Sequence, residues 1–241
     1  VTNKAGYVRL QWAPVKNAEG VNIYKKDENG EFVLMRTITD PEKVYVFDKD
    51  VKSGDDCTYR LESFAGEEIS DPSEEANITY LDMPELVKAE AFDRGIRIDW
   101  KRVAGAEGYY IYRRKAGTSS WKKIATVTGG KKSYYKDTAG INKTKYDYTV
   151  RAFKETSKST YKAGGLSCTC KLKLVAYRVK YAVNLRNGYG TDYRVAGTAY
   201  QGEKLYVIAG TGKYVDGVKW FKIYRNDKYR YVCAKYIRKI R

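Results

Sequence analysis

Histidine is absent from this 241-residue chain. That absence removes Ser-His-Asp triads, Cys-His pairs, HExxH zinc centres and most zinc enzymes together. Carboxylates, lysines and serines remain, but no motif arranges them for catalysis. The chain therefore reads as no enzyme, with no cofactor and no metal. No apolar run reaches the length a membrane-spanning helix needs, so no transmembrane segment is expected. The chain opens at Val1 with neither a Met nor an apolar leader, as a processed protein or an excised segment would. Cysteine is sparse, limited to Cys57, Cys168, Cys170 and Cys233. Cys168 and Cys170 are two apart in a strand-like run, which puts them on one face with poor geometry for a mutual bridge. No second ligand pair accompanies them. They read as small buried thiols, with a bridge from Cys168 or Cys170 to Cys233 as the alternative.

Acidic residues are also short, but unevenly. The whole chain holds 46 Lys and Arg against 29 Asp and Glu, a net charge of +17. Residues 1–83 carry 10 against 17 and are net −7, residues 84–173 carry 21 against 8 (+13), and residues 174–241 carry 15 against 4 (+11). An acidic first third and a basic remainder imply an anionic partner for the C-terminal two thirds.

What is present is a repeat. VRLQW (8–12) returns as IRIDW (96–100), AEGVNIYKK (18–26) as AEGYYIYRR (106–114), and YRLESF (59–64) as YTVRAF (148–153). The offset is 88 residues at the start and 89 at the end, so one insertion separates the copies. That period is too long for a solenoid unit and fits a whole small domain in tandem. Apolar residues alternate with period two, as in Ile96, Ile98, Trp100 and in Tyr146, Tyr148, Val150, Ala152. Turn pairs such as Asn29-Gly30, Gly117-Thr118 and Asp216-Gly217 fall between the runs. The fold class is all-β. Pro84 marks the first boundary, while the run 167–179 carries no Pro or Gly and predicts a stiff second junction. The first repeat has few residues ahead of its Trp strand, where the second has LVKAEAF (86–92), so its first strand is expected to be missing or irregular.

The repeats resemble fibronectin type III domains. The resemblance rests on Trp12 and Trp100, on Tyr24 and Tyr112 twelve residues later, and on the Y-x-Y-x-V-x-A run from Tyr146. It implies two immunoglobulin-like sandwiches, over 1–83 and 84–173, with the Trp and Tyr residues packing cores. It also places Tyr146 at the family's tyrosine corner, where Cys57 stands in the first copy. The last third, 174–241, resembles the bacterial Src-homology-3 family of cell-wall domains. VNLRNG (183–188), Tyr193, VAGTAYQGEKLYV (195–207), WFKI (220–223) and YVCAKYI (231–237) carry that likeness, while the family's closing Gly-Trp reads Arg230-Tyr231 here. It implies a small closed barrel. Alternation of Val183 and Leu185 with Asn184 and Arg186 supports the barrel independently, and Gly188, Gly197 and Gly202 are expected at tight turns.

The last third holds 11 of the 24 tyrosines, more phenols than so small a barrel can bury. Exposed Tyr beside Lys and Arg can stack on sugar rings or peptide planes. The resemblance implies a groove near the loop after the first strand, which makes Tyr181, Asn184, Tyr189 and Tyr193 candidate ligand-binding residues, with Tyr214 opposite. The reading is a monomeric, non-catalytic, exported bacterial surface segment, secreted or cell-surface. Its sandwiches are spacers and its barrel binds cell wall, through peptidoglycan or anionic wall polymers. The alternatives are the targeting region of a larger wall hydrolase and an adhesin for host glycan or matrix protein. Basic patches with aromatics also suit single-stranded nucleic acid, but no such motif occurs and no nucleic-acid partner is expected.

Overall fold

The repeated Ala-Glu-Gly has a steric reason. In the computed structural model, which describes residues 1–155 and 157–240, a Cβ on Gly20 would lie 2.3 Å from the Phe64 ring and from the Ile38 carbonyl oxygen. On Gly108 it would meet Phe153 at 2.6 Å and the Val127 oxygen at 2.5 Å. Only glycine lets the strand pass beneath that ring, so the residue returns with the phenylalanine it serves.

The first unit comprises β1 (Thr2–Lys4), β2 (Tyr7–Gln11), β3 (Gly20–Lys26), β4 (Phe32–Ile38), β5 (Tyr45–Asp48), β6 (Asp56–Ala65), β7 (Glu68–Ile69) and β8 (Ala76–Thr79). Its sheets are β1-β2-β5 and β4-β3-β6-β7, with β8 also on β6. The second unit comprises β9 (Leu86–Phe92), β10 (Gly95–Trp100), β11 (Gly108–Lys115), β12 (Lys122–Thr128), β13 (Tyr134–Asp137), β14 (Lys145–Lys154), β15 (Ser157–Lys158) and β16 (Leu166–Thr169). Its sheets, β9-β10-β13 and β12-β11-β14-β15 with β16 on β14, repeat the first strand for strand. Even the register slip recurs, at Ile23/Tyr24 and at Ile111/Tyr112. Each unit is an antiparallel sandwich of the fibronectin type III kind. The first strand of the first unit is present, but it pairs over only Thr2, Asn3 and Lys4.

The third unit comprises β17 (Leu174–Val179), β18 (Val183–Arg186), β19 (Val195–Ala199), β20 (Lys204–Ile208), β21 (Lys213–Val215), β22 (Val218–Arg225), β23 (Lys228–Cys233), a 3-10 turn (Ala234–Tyr236) and β24 (Ile237–Lys239). Its strands run β19-β18-β23-β22-β20-β17-β24, with β21 on β22, around a core that includes Val183, Leu185, Val207, Ile223 and Val232.

The sandwich cores correct one expectation. Tyr24 and Tyr112 are only half-buried, while Ile23 and Ile111 beside them are fully buried. Successive strand residues face opposite sides, so the isoleucines take the core and the tyrosines the outer face. There, Tyr112 stacks on Tyr161 and Arg60 lies over Tyr24. The buried phenols are Tyr59 and Tyr148, and each ends on a buried carboxylate. Tyr59 donates to Asp48 at 2.8 Å, and Lys25 reaches the same carboxylate oxygen at 2.8 Å. Tyr148 donates to Asp137 at 2.7 Å, with Arg113 also at 2.7 Å. The second oxygen of each carboxylate accepts a backbone N–H, from Asp50 and from Ala139, both at 2.9 Å. Each buried charge is thereby paired and hydrogen-bonded, which its burial requires. At the expected tyrosine corner, the backbone N–H of Ile141 donates to the Tyr146 hydroxyl at 3.1 Å. In the first unit the Cys57 thiol stands there instead, 3.9 Å from the Asp55 carbonyl oxygen.

Burial first, and then the neighbouring carboxylates, push the Tyr59 and Tyr148 phenols far above their ordinary value of 10.0. The folded state resists ionising them and the unfolded state does not. Their contribution is therefore intact below about pH 10 and erodes above it, by about 1.4 kcal/mol per pH unit for each phenol. Alkaline unfolding should set in above about pH 10, and these two tyrosinates should form only with loss of the far-UV strand signal. A folded protein with every tyrosine ionised would contradict this.

The units join in different ways. Tyr80 packs in the first core and Leu81 in the second, so packing changes hands a few residues before Pro84. Around that joint the ties are polar: Ser157 Oγ accepts from the Thr79 N–H at 2.9 Å, and Lys154 pairs with Asp56 at 2.9 Å. The run 167–179 is not one strand. It breaks at 170–173, between β16 and β17. What joins the units there is packing: Cys170, Leu172 and Ile208 lie in the core of the second unit, with Tyr224 and Tyr229 against it. All four cysteines are free thiols, so neither Cys168 nor Cys170 bridges to Cys233.

Candidate functional site

Strand β18 builds one wall of the barrel's main groove. Val183 and Leu185 point into the core, Asn184 is exposed and Arg186 is half-buried. Arg186 Nη1 donates to the carbonyl oxygens of Thr191 at 2.6 Å and Tyr193 at 2.7 Å, tying down the loop that follows. The Tyr193 ring lies on Gly188, where a Cβ would come within 2.2 Å of it. Gly188 is thus required by close contact rather than by a turn, unlike Gly202, whose φ is +84°.

The groove encloses about 470 Å³. Asn184, Arg186 and Thr198 line it on one side, and Val215, Asp216 and Val218 on the other. Trp220 forms its floor, 5% exposed, and Lys235 and Tyr236 of the 3-10 turn close its end. An apolar floor with a few convergent polar groups is the usual make-up of a ligand groove. Arg186 and Lys235 against the single carboxylate of Asp216 leave the lining net basic.

The structure divides the tyrosines that sequence placed together. Asn184 lines the groove itself. Tyr181, Tyr193 and Tyr214 are 65%, 51% and 66% exposed and do not line it: Tyr181 precedes the lining residue Ala182, Tyr193 lies on Gly188, and Tyr214 pairs with Lys219, on the face of β21 and β22 opposite the lining residues Val215, Val218 and Trp220. Tyr189 faces a different cavity, where it is half-buried, donates to the Thr211 carbonyl at 2.9 Å and meets Tyr231 edge-on at 4.5 Å. Burial raises the pKa of both of these phenols. Sequence reasoning missed Arg186, Thr198, Trp220 and Tyr236 as lining residues. Arg186 was legible as the outward partner in the β18 alternation, whereas Thr198, Trp220 and Tyr236 arrive from β19, β22 and the 3-10 turn and share no local pattern with it.

Residues 182–238 match the family model of the bacterial SH3 domain. That span holds every strand of the SH3 groove described above. No curated protein matches the chain. Among solved structures, the chain is similar to the chicken CNTN1 FN1–FN3 domains, at 16% identity and TM-score 0.39 over 70% of this chain and 64% of that one. The chain therefore spans under two thirds of that structure's length. A two-domain fibronectin type III segment of chicken tenascin gives 14% identity and TM-score 0.35, over 71% of this chain and 95% of that one. The chicken interferon gamma receptor alpha chain gives 11% and 0.37, over 71% and 96%.

On the first unit, Tyr7, Tyr45 and Phe47 form an outward aromatic row. Tyr45 and Phe47 are exposed, with ring centroids 4.8 Å apart for Tyr7–Phe47 and 5.3 Å for Tyr45–Phe47, and Arg9 lies 5.1 Å over Tyr45. Among the described residues, no helix is long and apolar enough to cross a membrane.

Proposed function

We propose that the chain is a non-catalytic, exported segment of a bacterial surface or secreted protein, in which two sandwiches space an SH3 unit that binds cell wall. The groove over Trp220 on the matched SH3 unit carries the reading. Asn184 and Arg186 supply hydrogen bonds, Trp220 the apolar floor, and Tyr236 at the groove's end, with the exposed Tyr181 next to the lining residue Ala182, aromatic faces for sugar rings or peptide planes. The net charge of +11 on residues 174–241 adds a long-range attraction to wall phosphates and carboxylates. The chain acts as a monomer, with peptidoglycan or an anionic wall polymer as its partner. A second reading rests on the aromatic row Tyr7, Tyr45 and Phe47, which suits a host glycan or matrix surface.

Co-sedimentation of the whole chain with Gram-positive sacculi over a salt series tests this. Charge-driven binding should fade as salt screens exposed groups beyond about 8 Å, and groove binding should persist. Asn184→Ala with Tyr181→Ala should cut the salt-resistant affinity about tenfold or more, as loss of a central contact does. Muropeptide release should stay at the buffer level. No pelleting even at low salt would overturn the proposal, and binding to host matrix lost on Tyr45→Ala with Phe47→Ala would move the assignment to the first unit.

A further inference from the structure

A second cavity, of about 400 Å³, opens where the second and third units meet. The second unit contributes Arg94, between β9 and β10, and Thr138, just after β13. The third contributes Tyr189, the turn from Gly210 to Lys213, Lys222 and Tyr231. Among the described residues, three cations line it and no carboxylate does. Arg94, Lys213 and Lys222 take part in no ion pair among the described residues.

Arg94 and Lys222 are each held by a hydrogen bond across the joint, and Lys213 stands at its rim. Arg94 Nη1 reaches across the joint to the Gly210 carbonyl at 3.1 Å. Lys222 Nζ reaches back to the Thr138 carbonyl at 3.1 Å and sits 3.8 Å over the Tyr229 ring. Lys213 Nζ stands 5.7 Å from the Tyr189 ring at the exposed rim. An ammonium has three donors, and the Thr138 carbonyl takes one of them. Half-burial depresses the Lys222 pKa, with only the field of Asp137 opposing it. A half-buried cation with no ion-pair partner is costly, and an anion entering the cavity relieves that cost. One guanidinium and two ammonium groups converging on a concave wall match the chemistry of a phosphate group. The tyrosine walls leave an apolar flank for the carbon side of an ester.

We infer that this cavity binds a phosphate-type anion, held between Arg94 of the second unit and Lys213 and Lys222 of the third. The site exists only while the two units are docked, so its ligand also clamps the joint. It stands independently of the wall-binding groove, which lies on other residues.

The test is titration of the whole chain with inorganic phosphate, glycerol 3-phosphate and a glycerophosphodiester at fixed ionic strength, followed by the amide resonances of Gly210 and Gly212. Saturable shifts with phosphate and with the monoester are expected. Lys213→Gln should weaken both about tenfold, and Arg94→Gln with Lys213→Gln should abolish them. Lys131→Gln and Lys228→Gln, exposed lysines outside the cavity, should leave them unchanged. A diester binding as tightly as the monoester would point to a polymer backbone as the source, and a much weaker diester to free or terminal phosphate; either outcome supports the site. Lys213 makes no hydrogen bond across the joint, so its variant reports on binding with the fold intact. Absence of saturable shifts, or shifts that Lys213→Gln and the double variant leave untouched, would overturn the inference.

Discussion

Replacing Asp137 with alanine is expected to cost the second unit about 3–5 kcal/mol, as loss of one partner from a buried pair does. Asp137 is 2% exposed, and its removal strands both the Arg113 guanidinium, at 2.7 Å, and the Tyr148 hydroxyl, at 2.7 Å. Neither can turn to water, because Tyr148 is fully buried and Arg113 largely so. Asp48→Ala should do the same in the first unit but by less, since the Lys25 side chain is 26% exposed against 19% for Arg113 and its ammonium reaches solvent more readily. Urea unfolding followed by tryptophan emission reads both, through Trp100 and Trp121 in one unit and Trp12 in the other. Adding Arg113→Met to Asp137→Ala should recover part of the loss, because an apolar replacement removes the orphaned charge. A cost below about 1 kcal/mol for Asp137→Ala would show that the triad is not stabilising the sandwich.

Ile208→Asp is expected to separate two units that otherwise unfold together. Ile208 belongs to β20 of the third unit, yet it is 1% exposed in the core of the second, beside Leu172 and Cys170. Ile208 also lines the cavity of Arg94, Lys213 and Lys222, so a carboxylate there can turn to those cations and the loss is chiefly of apolar packing in the second unit's core. The substitution should cost about 2–4 kcal/mol and turn one unfolding transition of the second and third units into two. Small-angle scattering should show a single narrow arrangement of these units in the parent and a spread in the variant. The contrast is the other joint, where Lys154→Ala removes a pair whose Asp56 side chain is 71% exposed and should change stability by less than about 1 kcal/mol. Unaltered unfolding and scattering in Ile208→Asp would show that the joint is held elsewhere.

Strand identity, the tandem repeat and the SH3 likeness were all legible in the chain because each rests on local order. Alternation such as Val8 and Leu10, or Ile96 and Ile98, states which face is buried without reference to any other strand. The spacing of VNLRNG, WFKI and YVCAKYI along the chain carries the family match over residues 182–238. The outward turn of Tyr24 and Tyr112 escaped because a family position names a residue and not its face. Continuity was misjudged for a related reason: the run 167–179 has β composition throughout, but residues 170–173 are shaped by what packs on them from the third unit.

Tertiary structure alone decided the rest. Lys25, Asp48 and Tyr59 lie on β3, β5 and β6, and nothing in the spacing of three polar residues announces that they share one buried carboxylate. Tyr189 lines a cavity that only the docked second unit closes, while Tyr193, four residues on in the same loop, is held against Gly188 and stays exposed. Arg94, Lys213 and Lys222 converge only across a joint. Periodicity is a property of neighbours along the chain, whereas pairing of charges and closure of a cavity depend on groups that folding brings from far apart.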